Sequence, residues 1–505
     1  MTTLSAPQAS EESAPSRHPL APLFNAGTGR ARSARVLRSV EQDLSASFKL
    51  DAEVLTSLAR RVAAHLTATD FNAAAQAPAQ DAPLWAHLQA GGIDRMAELD
   101  GLLADQPPEE RARAWLDLAV LGVLLGADPG PRWRCSDQST LPTAAFAQGT
   151  PDELLAMLDR AGRTAGGAAV LSPVARAVDA SEAPAAVSAP AVSAPPPPPL
   201  SPPALAATTY GGGEGLAVAA FRAFVAGAFS ADKTQPCRVD AGTLRHIDVA
   251  AVRAMLQGTP QNPVQGLEGR ATVLSRLGQV LQALPGAGGA LARPCDLVRS
   301  VTAASVQGTP LQAASLLSEL LRALAPVWPA APVQGLPGGD IWQHRWAGVV
   351  VADDSGAAEP PAHTALSDLG TGGWVPLHAM GQALVLALAL PLHRAGQTLV
   401  GLQHLSAIAD QPTSALLLAA GVVVPRHPRL LSRSLKLGDE AVIECRALTV
   451  ALFDELTRQV QALLQAREGP GATAPTVAQV VQATAAMMAG GGAPALRIEG
   501  DGALF

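Results

Sequence analysis

Apolar residues recur at the helical spacing over long stretches, and this periodicity limits what the chain can fold into more than any other feature. Val273, Leu274, Leu277, Val280, Leu281 and Leu284 fall on one face of a helix, as do Leu316, Leu317, Leu320, Leu321 and Leu324. Leu448, Leu452, Leu456, Val460 and Leu463 make a third stripe, in a helix expected to stop before the glycines at 469–471. Such faces are buried by packing helix on helix, so the pattern predicts a mainly α protein (α+β with a small β element): one large helical globular domain. Strand-like runs are few, and residues 348–352 and 496–499 are the best of them. The longest apolar runs, 383–392 and 415–424, fall well short of the roughly 20 residues that cross a bilayer and read as buried core.

Two segments break this pattern. Residues 1–28 are rich in Ser, Ala and Pro without helical period and read as a disordered tail. Residues 172–209 hold Ala-Pro repeats and the prolines of 195–199, which favour an extended linker or surface insertion. The remaining stretches, 29–171 and 210–505, are expected to be two parts of the same domain.

Nearly half of the 505 residues are hydrophobic, enough for a sizeable core. The net charge of −7 is small for this length and the basic residues form no stripe with aromatics between them, which argues against nucleic acid as a partner. Cys135, Cys237, Cys295 and Cys445 lie far apart with no CxxC pair, against a disulfide framework or zinc knuckle. A reducing compartment fits that usage. The early acids Glu11 and Glu12, without an apolar stretch, speak against a secretory signal, and the arginines of 17–38 faintly resemble a transit peptide; a cytoplasmic protein with an untargeted tail is the expectation.

Several motifs occur in a telling order: LWAHLQAGGIDR (84–95), LGVLLGADPGPRW (121–133), GGGEGLAVAAFRAFVAGAFSAD (211–232), NPVQGLEGRATVLSRLGQVL (262–281), GGDIWQH (338–344), VPLHAMGQAL (375–384), IECRALTVALFDEL (443–456) and IEGDGALF (498–505). Together they resemble the uracil-catabolism protein family of fungi and bacteria over nearly the whole chain. The resemblance implies a role in pyrimidine degradation and a small-molecule, pyrimidine-derived ligand. The chain departs from the family's pattern where Leu84 and Ala86 flank Trp85 in place of two arginines, at Gly212 and Gly213 in place of Arg-Ser, at Gly126 in place of an Asp, and at Ala379 in place of a Lys. Of the family's Leu-Pro-Glu-Tyr-Arg-Asn-Gly-Gly motif only the acid Asp410 is kept, with Pro412 where the Arg stands.

The remaining polar residues give several candidates, each with a plainer reading. Glu214, in a glycine-rich turn before a helix, is a candidate general base or ribose-hydroxyl acceptor, or part of a simple helix start. Glu268 and Arg270 begin an amphipathic helix, where Arg270 has the fork that clamps a phosphorylated sugar or pairs with a carboxylate; the same two readings hold for Glu444 and Arg446. Asp340 and His344 are four apart and His378 follows; a metal set of Asp, His and His is one reading, and a hydrogen-bonding or acid-base histidine the preferred one, with no metal expected. His378 and Gln382, also four apart, are candidate contacts to a polar ligand, or a satisfied buried pair, and Trp342 belongs to the same ligand-binding set. Asp410, before an apolar run, is a candidate acid or base with a raised pKa, or an exposed turn. Cys237 and Cys445 have no evident His partner for thiol chemistry. No flavin, nicotinamide or nucleotide motif is present, so no cofactor is expected.

Two functions remain open at this point. One is a hydrolase of an N-glycosidic or ureido bond in a ring-opened or ribosylated uracil derivative, with Glu214, Asp410 and His378 as catalytic candidates. The other is a non-catalytic paralogue that binds a small molecule or a partner protein.

Overall fold

Leucines at the helical spacing do form helices: the described residues contain sixteen α-helices and only short strands. The structure is a computed structural model that describes residues 20–69, 82–137, 208–303, 309–328, 333, 335–348, 373–469, 474–488 and 495–504. The chain runs through α1 (Ala26–Glu41), α2 (Ala52–Ala68), α3 (Pro83–His87), α4 (Arg95–Leu102) and α5 (Pro108–Leu124). After the linker region come α6 (Gly212–Val225), α7 (Ala241–Arg245), α8 (Val249–Met255), α9 (Leu267–Gln282), α10 (Pro294–Thr302) and α11 (Ala313–Leu324). The last third holds α12 (Ala379–Arg394), α13 (Gln411–Ala420), α14 (Arg429–Ser432), α15 (Glu440–Glu468) and α16 (Val477–Met488).

The expected stripes lie on α9, α11 and α15. All five leucines of the α11 stripe are buried. Burying one leucine is worth ~1.5–3 kcal/mol, while ordinary helix propensities differ by at most ~0.7 kcal/mol per residue, so packing and not propensity holds this helix. On α15 the stripe is buried from Leu448 to Val460, and beyond it Leu463 is exposed while its neighbour Leu464 is buried. The helix ends at Glu468, where Gly469 turns to a φ of +90°. The apolar run 383–392 is the buried body of α12. The run 415–424 divides: α13 stops at Gly421, whose φ of +79° caps the helix, and Val423 continues as a strand.

Among the described residues ten strands make five two-stranded sheets: β1 (Phe48–Leu50), β2 (Arg134–Asp137), β3 (Thr208–Gly211), β4 (Leu311–Gln312), β5 (Ile341–Gln343), β6 (Trp374–Pro376), β7 (Leu399–Val400), β8 (Val423–Pro425), β9 (Ser434–Lys436) and β10 (Arg497–Glu499). The pairs β1–β8, β2–β3 and β5–β6 are antiparallel, and β4–β7 and β9–β10 parallel. The run at 496–499 thus forms a strand. The other expected strand, 348–352, lies outside the described residues beyond 348. Cys135 pairs with Tyr210 across β2–β3, so the chain leaves the first part and re-enters the second at adjacent positions.

The described chain begins within the stretch read as tail. Leu20, Leu23 and Phe24 are buried and α1 starts at Ala26 behind the Asn25 cap, so residues 20–28 belong to the packed domain. The short apolar run Leu20–Phe24 docks on the core although the Ser/Ala/Pro-rich sequence before it has no apolar period.

Buried ion pairs pin the helices to one another. Asp117 of α5 accepts from Arg293 Nε at 2.7 Å and from the backbone of Cys295 at 3.0 Å, which fixes the start of α10. Arg95 and Arg222 both grip Asp137, joining α4, β2 and α6. Around the other end, α1 packs on α15 and on β6, and β5–β6 delivers the chain to the start of α12. Among the described residues no helix is long and apolar enough to cross a membrane.

Candidate functional site

The β5–β6 hairpin, α12 and α15 meet around one fully buried carboxylate. Asp340, just before β5, accepts from Arg446 Nη1 at 2.8 Å and Nη2 at 2.6 Å, from Trp342 Nε1 at 2.5 Å and from the backbone N–H of Ala379 at 2.9 Å. Burial alone would raise its pKa, yet the Arg446 charge and these donors hold it below the ordinary carboxylate value. Arg446 also donates through Nε to the Ala409 carbonyl at 2.7 Å, which ties the entry of α13 to α15. The bidentate fork explains why an arginine stands here: both carboxylate oxygens are met in one plane.

Two residues earlier on α15, Glu444 is also buried. Its Oε1 accepts from the Ser45 hydroxyl, and its Oε2 lies 3.5 Å from His344 Nε2. His344 Nδ1 accepts from the backbone N–H of Trp346 at 3.3 Å, so in the neutral ring Nε2 carries the proton and faces the glutamate.

His378 opens α12 with a left-handed backbone, φ +50°, a conformation uncommon for a residue with a side chain. Its Nε2 lies 2.7 Å from the Leu23 carbonyl, which can only accept, so Nε2 is the protonated nitrogen. Nδ1 is left with a free lone pair, buried and without a hydrogen-bond partner among the described residues. Burial holds the ring below the ordinary histidine pKa, and Arg446 adds to this against the Leu23 carbonyl and Asp340. It is therefore a neutral imidazole with a fixed tautomer. Gln382 follows one turn on, its backbone N–H donating to the His378 carbonyl at 2.9 Å. Its side-chain N–H donates to Ser406 Oγ at 3.0 Å.

The structure thus joins Asp340 to the half-buried Trp342 and to the backbone of His378, while His344 bears on Glu444 of α15 and Gln382 on Ser406. Asp410 caps α13, its Oδ1 accepting from the Thr413 N–H at 2.8 Å; burial raises its pKa against the donors of Thr413 and the nearby Arg446. Glu214 sits on the surface in the first turn of α6, whose preceding Gly213 packs against His87. Glu268 is exposed at the start of α9. Arg270 is buried, donates to the backbone carbonyls of Gln265 and Ala127, and is pushed by burial down to about 10 against Asp128 and Asp501. Glu214, Glu268 and Arg270 share no partner with the Asp340 group. Among the described residues no three or more His, Cys, Asp or Glu side chains gather as metal ligands.

The sequence reading weighed Arg446 and Glu444 only as an anion clamp or a carboxylate pair and did not name Ser45 or Ser406. Arg446 and Glu444 were visible as buried-helix charges, but nothing in their spacing points to Asp340 or to Ser45, which is 399 positions away from Glu444. The Leu23 carbonyl has no side-chain signal at all. His87 was legible only as a motif residue; burial without a compensating partner pushes it down to about 4.

Among curated proteins, the chain is 28% identical over 249 residues to protein urg3 of Schizosaccharomyces pombe, which covers 49% of this chain and 54% of that protein. It is 26% identical over 265 residues to uracil catabolism protein 4 of Lachancea kluyveri, covering 48% of this chain and 57% of that one. The matches span about half the length of these relatives. The family described as protein of unknown function DUF1688 matches residues 23–149 and 203–505, both sides of the Pro-rich stretch, and the chain belongs to that family.

Proposed function

We propose that the protein acts in pyrimidine degradation, taking a ring-opened or ribosylated uracil derivative at the Asp340 cluster and hydrolysing its N-glycosidic or ureido bond. The name of the Lachancea relative supports the pathway. The observation that carries the site is His378: a neutral ring whose Nε2–H is anchored on the Leu23 carbonyl and whose Nδ1 lone pair is free. That is the state a general base needs at neutral pH. In this reading water adds across the C–N bond, Nδ1 accepts the water proton, and the proton passes to the leaving nitrogen. Asp340 and Arg446 hold the start of α12, and so the ring, in place.

The test is urea release from ribosylurea and its 5′-phosphate by the full-length protein, beside His378→Asn, a residue that tolerates the left-handed backbone. Loss of the base predicts turnover lowered by roughly 10²–10⁴-fold with an unchanged cooperative melt. Turnover that His378→Asn leaves intact removes His378 from the mechanism. No turnover by the folded native protein favours the second reading, a non-catalytic binding paralogue. Its support is that several departures from the family's charged pattern fall on one pair of packed helices: Leu84 and Ala86 on α3, and Gly212 and Gly213 on α6, where Gly213 lies against His87.

A further inference from the structure

Among the described residues, none donates to the buried side-chain oxygen of Gln382. Gln382 is 2% exposed. Its amide nitrogen donates to Ser406 Oγ at 3.0 Å, and the Ser406 hydroxyl donates in turn to the Ala407 carbonyl at 3.2 Å. Oε1 therefore points elsewhere, and no described residue donates to it. An amide oxygen buried without a donor forfeits the hydrogen bond it makes in water, a cost a folded chain rarely carries without use. One helical turn away, His378 Nδ1 is a second buried acceptor without a donor, fixed by a separate bond. His378 Nδ1 and Gln382 Oε1 are thus two buried acceptors without donors, four residues apart at the start of α12, and the carboxylate that holds this helix start has its own oxygens met by Arg446, Trp342 and Ala379.

We propose that Gln382 Oε1 is the specificity-determining acceptor of this site, taking an N–H of a ureido or cyclic ureide group while His378 Nδ1 faces the water or second N–H beside it. The inference rests on the Asp340 cluster being the ligand site, but not on hydrolysis. Both a uracil ring and an opened ureido chain present N–H beside a carbonyl. A site built this way rejects analogues without the N–H, because the acceptor is then left unpaired.

Calorimetric titration of the full-length protein tests it with four probes: ribosylurea, its analogue methylated on both ureido nitrogens, uracil, and 1,3-dimethyluracil. The expected result is binding of at least one N–H-bearing probe, with its methylated partner at least about tenfold weaker, the scale of one lost hydrogen bond. Which pair shows the difference tells opened chain from closed ring. Gln382→Met keeps the volume and removes the acceptor; it should weaken the N–H-bearing probe about tenfold and leave the methylated one unchanged, erasing the discrimination. Equal affinity for methylated and unmethylated probes in the native protein overturns the proposal, whether or not Gln382→Met folds. So does a Gln382→Met protein that keeps the full difference. N–H-dependent binding without urea release would retain this inference and discard the hydrolase reading, while turnover indifferent to Gln382 would do the reverse.

Discussion

Trp85 donates its indole N–H to the carbonyl of Ala387 at 3.0 Å, and Ala387 is the residue whose helical donor is missing because position 391 is a proline. Pro391 has no N–H to give four residues back, so α12 would bury an unsatisfied carbonyl in the middle of the core. The tryptophan of α3 supplies the bond, and its ring packs on Trp115 at 5.3 Å. This accounts for the Trp in the LWAH motif by packing and hydrogen bonding, independent of any ligand.

Trp85→Phe should therefore cost more than its lost area: about 1–3 kcal/mol for the orphaned carbonyl, in addition to the smaller ring. Pro391→Ala in the same chain restores an N–H to Ala387, and the pair of changes should be less damaging than the sum of each alone. Urea denaturation of the four proteins in that double-mutant cycle measures the coupling; strict additivity would contradict the assignment.

Asp340→Asn removes the buried counter-charge of Arg446 while keeping the shape. Breaking one side of a buried pair costs ~3–5 kcal/mol, whereas replacing both partners together with apolar residues is often far milder. Asp340→Leu with Arg446→Met should accordingly be more stable than Asp340→Asn, although neither is expected to bind ligand. The pH dependence has a defined sign. Because the folded-state pKa of Asp340 is depressed, its stabilising contribution is present above the ordinary carboxylate value of 3.8 and is lost as the pH falls through the lower folded value. The acid limb of the stability curve should flatten in Asp340→Asn, as read by thermal melts below pH 4.

Asp454 should act with the opposite sign. Burial pushes it up to about 6 against the attraction of Arg30, 3.1 Å away. Between the unfolded value near 3.8 and the folded value the native state binds more protons, so this residue's contribution to stability grows as pH falls from 7 toward 4. Asp454→Asn should remove that slope, measured as the difference in denaturation midpoint between pH 7 and pH 5. An unchanged slope would rule out Asp454 as its source.

The helical stripes and the buried runs were legible because periodicity reports which face of one element is covered. The division of run 415–424 was less so: its apolar residues look continuous, and only the left-handed Gly421 separates helix from strand. Asp340, His344, His378 and Gln382 could be named from polar types in short motifs, but their partners could not. Leu23 lies 355 positions from His378, and Arg446 lies 106 from Asp340, distances over which local pattern carries no information. Arg270 shows the converse limit: an arginine at a helix start looks like an anion clamp until the backbone carbonyls that it serves are seen.

The terminal motif has a structural reason as well. At Gly269 an added Cβ would stand 1.8 Å from the Asp501 carbonyl, and Gly266 and Gly502 approach each other with φ of +67° and +72°. Gly269→Ala must displace the strap that buries Ala503 and Leu504, so a loss of about 1–3 kcal/mol is expected in the denaturation midpoint, with faster proteolysis of the C-terminus. An unperturbed midpoint would show that the strap is not held there.

The most direct measurement is a crystal structure of the protein grown with ribosylurea. The account predicts ligand density with an N–H directed at Gln382 Oε1 and His378 Nδ1, and the Asp340–Arg446 pair intact beside it. Ligand density seated instead in the turn between His87 and Gly213, with Gln382 and His378 untouched, would contradict it.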